Sequence, residues 1–83
     1  MKIAYTPYAL TTLAERKINK KSIEEALLFP DEPINGKKGR KIAHKREYPK
    51  LLRVIYEEEE NVYIVITAYY TEPKRYMNHE RQL

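Results

Sequence analysis

Residues 51–70 read LLRVIYEEEENVYIVITAYY, two apolar segments on either side of an acidic one. The apolar segments are rich in β-branched and aromatic residues, which are typical of strands. The polar run between them, residues 57–61, suits a solvated connection, so this stretch predicts a β-hairpin. Pro73 should end the pairing, which leaves Lys74-Arg75-Tyr76 at the rim of a small sheet.

The composition limits the classes of protein. The chain has 83 residues, 42% of them hydrophobic, and no cysteine. We therefore expect one domain over residues 1–83, with a disordered tail from about residue 77 and no thiolate chemistry. We expect no cofactor, because the two histidines are wrongly spaced for a metal site. No apolar run approaches the roughly 20 residues that cross a bilayer, so we expect a cytoplasmic protein without membrane contact.

Half of the positive charge lies in one short segment. Residues 37–53 contain eight of the 16 Lys and Arg residues and a single acid, Glu47. Two interpretations remain open: this segment binds a polyanion such as RNA, or it is a solvated face that aids solubility. The acidic residues 57–60 are expected to form a solvated hairpin tip. The eight cations are Lys37, Lys38, Arg40, Lys41, Lys45, Arg46, Lys50 and Arg53.

The first 30 residues predict two helices after a short strand at residues 2–5. Thr6 is a typical N-cap, and Pro7 suits the first helical position of a helix that runs to about Lys17. Asn19 is a typical N-cap for a second helix, which should end at Phe29-Pro30 because proline discourages continuation.

A candidate strand at Lys41–Arg46 and a turn at Tyr48-Pro49 precede the hairpin. The predicted fold is therefore α+β with the order β-α-α-β-β-β, two helices packed on one face of a small, mainly antiparallel sheet.

Side-chain alternation along the strands predicts which residues share a face. Core positions for Leu52, Val54 and Tyr56 would place Arg53 on the face away from the helices. His44 shares a face with Ile42 and Arg46, and a shift of one residue in register would reverse that face. In the last strand, alternation groups Ile64, Ile66 and Ala68 on one face and Tyr63, Val65, Thr67 and Tyr69 on the other.

Several short motifs run along the chain: Tyr8-Ala9, Glu15-Arg16-Lys17-Ile18-Asn19, Ile23-Glu24-Glu25-Ala26-Leu27, Pro30, Lys38-Gly39-Arg40-Lys41-Ile42, Leu52-Arg53-Val54-Ile55-Tyr56 and Ile64-Val65-Ile66-Thr67-Ala68-Tyr69. They resemble those of DUF4258 domains, small proteins related to the RelE/ParE toxin superfamily. Two departures are Tyr8, where that pattern often has a histidine, and Lys17, where it often has a glycine. The resemblance implies a RelE/ParE-like fold and an mRNA-cleaving toxin that a cognate acidic antitoxin protein neutralises.

Metal-independent RNA cleavage uses the 2′-hydroxyl as nucleophile, and needs a base, cations for the phosphorane and an acid for the leaving oxygen. The ordinary pKa of histidine lies near neutrality, so His44 is the candidate base. Arg53 and Arg75 are candidates for phosphate stabilisation, and Tyr76 for base stacking or proton transfer. The further candidate RNA contacts, on or off the ribosome, are Lys38, Arg40, Lys41, Arg46, Tyr69 and Lys74.

The alternative interpretation is a non-catalytic basic module that binds nucleic acid or a protein partner. A complete acid–base set would distinguish the enzyme from that module. Arg16 is interpreted as a helix-end or ion-pair residue, and Tyr69 and Tyr70 are the tyrosines expected to face a ligand.

Overall fold

The computed structural model describes residues 2–35 and 39–73. The predicted α+β class and the predicted order β-α-α-β-β-β are confirmed, with one further short strand, β2 (Glu32–Asn35). Strand β2 contains Pro33. Proline disfavours a strand in the middle of a sheet, but it is tolerated in an edge strand such as β2. The elements are β1 (Lys2–Tyr5), α1 (Pro7–Arg16), α2 (Lys20–Leu28), β2 (Glu32–Asn35), β3 (Lys41–Glu47), β4 (Lys50–Glu59) and β5 (Val62–Thr71).

Both helices begin at the predicted caps. Thr6 Oγ1 accepts a hydrogen bond from the Ala9 N–H at 3.0 Å, and Pro7 occupies the start of α1, where no N–H is needed. Asn19 Oδ1 accepts from the Ser22 N–H at 2.8 Å at the start of α2. Within the described ranges, neither helix is long and apolar enough to cross a bilayer.

The described strands form one sheet with the order β1-β5-β4-β3-β2. The strand β1 runs parallel to β5, and the other neighbouring pairs are antiparallel. Both helices pack on one face, as predicted, because their apolar residues form a single core with alternate residues of the inner strands. This core includes Ala9, Leu13, Ile23, Ala26 and Leu27 of the helices and Ala43, Leu52, Val54, Val65 and Ala68 of the sheet.

The opposite side of β3, β4 and β5 is called the outer face below. The alternate residues of these strands that do not point to the helices lie on it, in three rows set by the pairing register. The rows are Ile42-Ile55-Thr67, His44-Arg53-Tyr69 and Arg46-Leu51-Thr71.

A bulge changes the alternation of β5. Ile55 pairs with Thr67 but Tyr56 pairs with Val65, so β5 carries one extra residue at Ile66. The predicted grouping of Val65 with Tyr69 is therefore wrong, because Val65 is buried in the helix-side core while Tyr69 lies on the outer face. Strand alternation alone cannot reveal such an insertion.

The β4–β5 connection is shorter than predicted. Strand β4 continues to Glu59, and only Glu60 and Asn61 form the turn, with φ angles of 44° and 67°. Positive φ at both central residues suits a two-residue hairpin turn. The acids Glu57 and Glu58 consequently belong to β4, where Arg40, directly before β3, and Lys41 of β3 can reach them.

Loss of the first helix cap should destabilise the protein measurably. We expect Thr6→Ala to lower the free energy of unfolding by about 1 kcal/mol, because the Ala9 N–H loses its acceptor. Urea denaturation followed by circular dichroism measures this change. The control is Thr11→Ala at an exposed position of the same helix, and equal losses in the two variants would contradict a capping role.

Candidate nucleic-acid interface

The middle row of the outer face brings three predicted site residues together. His44 pairs with Arg53, and Arg53 pairs with Tyr69, so the three residues lie side by side on β3, β4 and β5. Adjacent strands are roughly 4.8 Å apart, which places the three Cα atoms within roughly 10 Å. The predicted orientation of Arg53, away from the helices, agrees with this register.

A hydrogen bond joins the first two residues of the row. Arg53 Nη1 lies 3.0 Å from His44 Nε2. Because a guanidinium can only donate, Nε2 must accept, and the proton of the imidazole therefore resides on Nδ1. This contact fixes one end of the Arg53 side chain.

His44 is neutral at physiological pH. Its side chain is 0% exposed although the helices cover the other side of the sheet. Burial, and then the charge of Arg53, lower the pKa of His44 from 6.5 to about 4. An enclosed imidazole whose Nε2 already accepts from Arg53 is suited to hold that arginine in place, and less suited to take a proton from an external substrate.

Arg46 adds a second cation of the predicted set to the outer face. It lies two residues from His44 along β3, in the next row, and it is exposed. Its backbone N–H donates to Asp31 Oδ2 at 2.6 Å, which ties the connection between α2 and β2 to β3. Arg46 and Arg53 therefore lie on one surface with Tyr69.

Other residues of the basic segment lie elsewhere. Lys41 pairs in register with Tyr56, which packs against the core, so Lys41 lies on the helix side, and its Nζ is 2.9 Å from Glu58 Oε1. Arg40 Nε is 3.5 Å from Glu57 Oε2. The structure thus does not bring Lys41 together with Arg53, and acids of β4 offset part of the basic charge.

Tyr70 does not face the predicted ligand surface. It packs against the helix-side core, and its hydroxyl donates to Glu47 Oε1 at 2.7 Å. Burial and the hydrogen bond to Glu47 raise the pKa of this hydroxyl. The prediction that Tyr70 faces a ligand on the outer face is therefore wrong. Tyr69, in contrast, lies in the row with Arg53.

Arg16, interpreted from the sequence as a helix-end or ion-pair residue, is a cation near this row. Its Nη1 donates to the Ala68 carbonyl at 2.9 Å, and its Cζ lies 5.8 Å from the centre of the Tyr69 ring. The contact joins residues 52 positions apart in the chain, so no local pattern reveals it. Lys38, Lys74, Arg75 and Tyr76 lie outside the described residues.

The hairpin end of the sheet has a different character. An open depression of about 630 Å³ is lined by the apolar residues Ala4, Val62 and Ile64 and by Glu59 and Glu60. Carboxylates repel phosphate, so among the described residues the Arg46–Arg53 end of the outer face suits a polyanion better than the hairpin end does.

The fold and this row define a small α+β domain with arginines and a tyrosine on one sheet face. The chain belongs to the family described as "Domain of unknown function (DUF4258)", which matches residues 5–71. No curated protein and no solved structure matches the chain.

The low pKa of His44 leads to a prediction about how the free energy of unfolding depends on pH. The unfolded chain binds a proton at His44 below pH 6.5, whereas the folded chain does so only near pH 4. Stability should therefore fall as the pH decreases from 6.5 to 4, with up to about 3 kcal/mol of the loss due to His44.

Denaturation of the wild type and of His44→Gln over this pH range isolates that contribution, because carboxylates titrate equally in both. The difference in unfolding free energy between them should change across the range. A constant difference would contradict a buried, neutral His44.

Proposed function

We propose that this protein is the toxin of a toxin–antitoxin pair, a cytoplasmic, metal-independent endoribonuclease of the RelE/ParE superfamily that cleaves mRNA. The observation that supports this proposal most is Arg53, held by His44 beside Tyr69 on the outer face. A guanidinium in a fixed orientation binds a phosphate through two parallel hydrogen bonds. The two helices on one face of a mainly antiparallel sheet agree with the fold that the superfamily resemblance implies.

In this proposal the 2′-hydroxyl of the RNA attacks the adjacent phosphate and displaces the 5′-oxygen of the next nucleotide. Arg53 stabilises the negative charge that develops on the phosphorane. His44 is a positioning residue: its hydrogen bond restricts the rotamers of Arg53 before substrate binds. The proton transfers then fall to Tyr69 or, among the residues proposed from the sequence, to Tyr76 or a lysine.

One observation favours the alternative, a non-catalytic module that binds nucleic acid or a protein. His44 was the side chain predicted as base because of its ordinary pKa, and burial lowers that pKa to about 4. The described part of the outer face then offers Tyr69 as its remaining proton carrier. The enzyme and the module would use the same surface, and they differ in whether bound RNA is cleaved.

Substitution of Arg53 tests the enzyme. Arg53→Ala should lower the rate of cleavage of a single-stranded RNA about a hundredfold or more, as loss of one oxyanion donor does. Arg53→Lys should be impaired less, because charge remains while the bidentate contact is lost. Products with 2′,3′-cyclic phosphate and 5′-hydroxyl ends, formed in the presence of a chelator, are resolved by gel electrophoresis and mass spectrometry.

Lys21→Ala is the matched control, since Lys21 is an exposed cation of α2 outside the site. A folded Arg53→Ala variant that cleaves at the wild-type rate would remove the proposed site. RNA binding by the wild type without cleavage would establish the binding module. His44→Gln should lose less than Arg53→Ala, and an equal or larger loss would make His44 the base.

The proposed partner is a small acidic antitoxin protein. The net charge of +4 and the exposed Arg46 on the outer face favour an acidic segment laid across that face. We expect a small acidic protein encoded beside this chain to relieve growth inhibition and to co-purify with it.

Charge reversal at Arg46 tests whether the proposed antitoxin contacts the outer face. Arg46→Glu should weaken the complex at least tenfold in a pull-down titration and make it less sensitive to salt, while Lys21→Glu should not. Equal binding by all three proteins would contradict an antitoxin contact on the outer face. A chain that is harmless on expression alone would contradict the toxin.

A further inference from the structure

Helix α1 lies along an edge of the sheet beside the proposed site. Strand β1 pairs only with residues 62–65 of β5, and within the described residues no strand pairs with the same edge beyond Val65. Residues of α1 and its cap contact this edge instead: the Thr6 hydroxyl reaches the Ile66 carbonyl at 3.5 Å, and Arg16 reaches the Ala68 carbonyl at 2.9 Å. The last residue of α1 therefore lies level with Tyr69.

The position of Arg16 adds a guanidinium to the middle row. Its Cζ is 5.8 Å from the centre of the Tyr69 ring, and Tyr69 pairs with Arg53 on the other side. The resulting order across the sheet is Arg16, Tyr69, Arg53 and His44. Two arginines thus flank one tyrosine, and they come from elements that are far apart in the sequence.

The Arg16 side chain is restrained by its contacts with Ala68 and Tyr69, and it can still donate hydrogen bonds to a ligand. A guanidinium has five N–H donors, and the contact with Ala68 uses one nitrogen, Nη1. The Arg16 residue is exposed, so its other donors are accessible to a ligand. Because the carbonyl and the ring already restrict the side chain, binding an anion would cost it little rotamer entropy.

We infer that Arg16 is a second phosphate-binding residue of this site, and that the ligand is a single RNA strand. The strand crosses the outer face from the β5 edge toward β3, with successive phosphates at Arg16 and Arg53 and the intervening nucleotide at Tyr69. A nucleotide that contacts an aromatic side chain in this way must be unpaired. This inference rests on the proposed function and specifies its substrate as single-stranded RNA.

Salt dependence of binding tests the inference independently of cleavage. The probe is a short fluorescent RNA with 2′-O-methyl riboses, which lacks the attacking hydroxyl, titrated by anisotropy over a series of salt concentrations. Arg16→Gln and Arg53→Gln should each weaken binding roughly fivefold near 0.1 M salt and reduce the slope of log K against log salt by about 0.7, the value for one phosphate of a single strand. Lys21→Gln should leave the slope unchanged, and the same RNA in a duplex should bind more weakly than the single strand.

The possible failures are distinguishable. A wild-type slope for Arg16→Gln beside a reduced slope for Arg53→Gln would overturn this inference alone, and Arg16 would then only tie α1 to β5. A wild type that does not bind RNA would overturn the proposed function as well. If Arg16→Gln does not fold, the NMR resonance of the Arg16 Nε–H in the wild type decides: it should shift on addition of RNA, and an unchanged resonance would overturn the inference.

Discussion

The pairing of β4 with β5, with one extra residue at Ile66, determines where the other parts of the molecule lie. Val65, before the bulge, and Ala68, after it, both point into the helix-side core. The apolar surface under the helices therefore continues although these two residues are three positions apart. The same insertion leaves Tyr69 beside Arg53 on the outer face. Without it, continuous alternation would keep Val65 and Tyr69 on the same face, so one of them would be misplaced.

The outer face contains a buried histidine, His44, that carries no charge at physiological pH. Burial and the neighbouring guanidinium both disfavour protonation of His44, and its neutral form is the one that accepts from Arg53. The direction of the hydrogen bond and the lowered pKa are thus two aspects of one arrangement. The neutral form of His44 therefore restricts the orientation of Arg53, the residue to which the proposed function assigns phosphate stabilisation.

Local signals allowed most of the fold to be predicted from the sequence. The caps at Thr6 and Asn19 are readable because each side-chain oxygen meets an N–H three residues later. The face of Arg53 follows from its apolar neighbours in β4. Three features depend on register or on packing between segments that are distant in the sequence, so composition and periodicity could not reveal them. They are the bulge, the ion pair of Glu58 with Lys41 and the contact of Arg16 with Ala68. For the same reason the burial of His44 was not predictable.

The hydrogen bonds from Thr6 and Arg16 to β5 have a consequence for solubility. Strand β5 is ten residues long and rich in Ile, Val and Tyr, a composition that readily templates pairing with other chains when its edge is bare. The Ile66 and Ala68 carbonyls on that edge already accept from these two side chains. Helix α1 therefore shields this edge of β5, and fraying of the helix ends would expose a surface for edge-to-edge assembly into oligomers or fibrils.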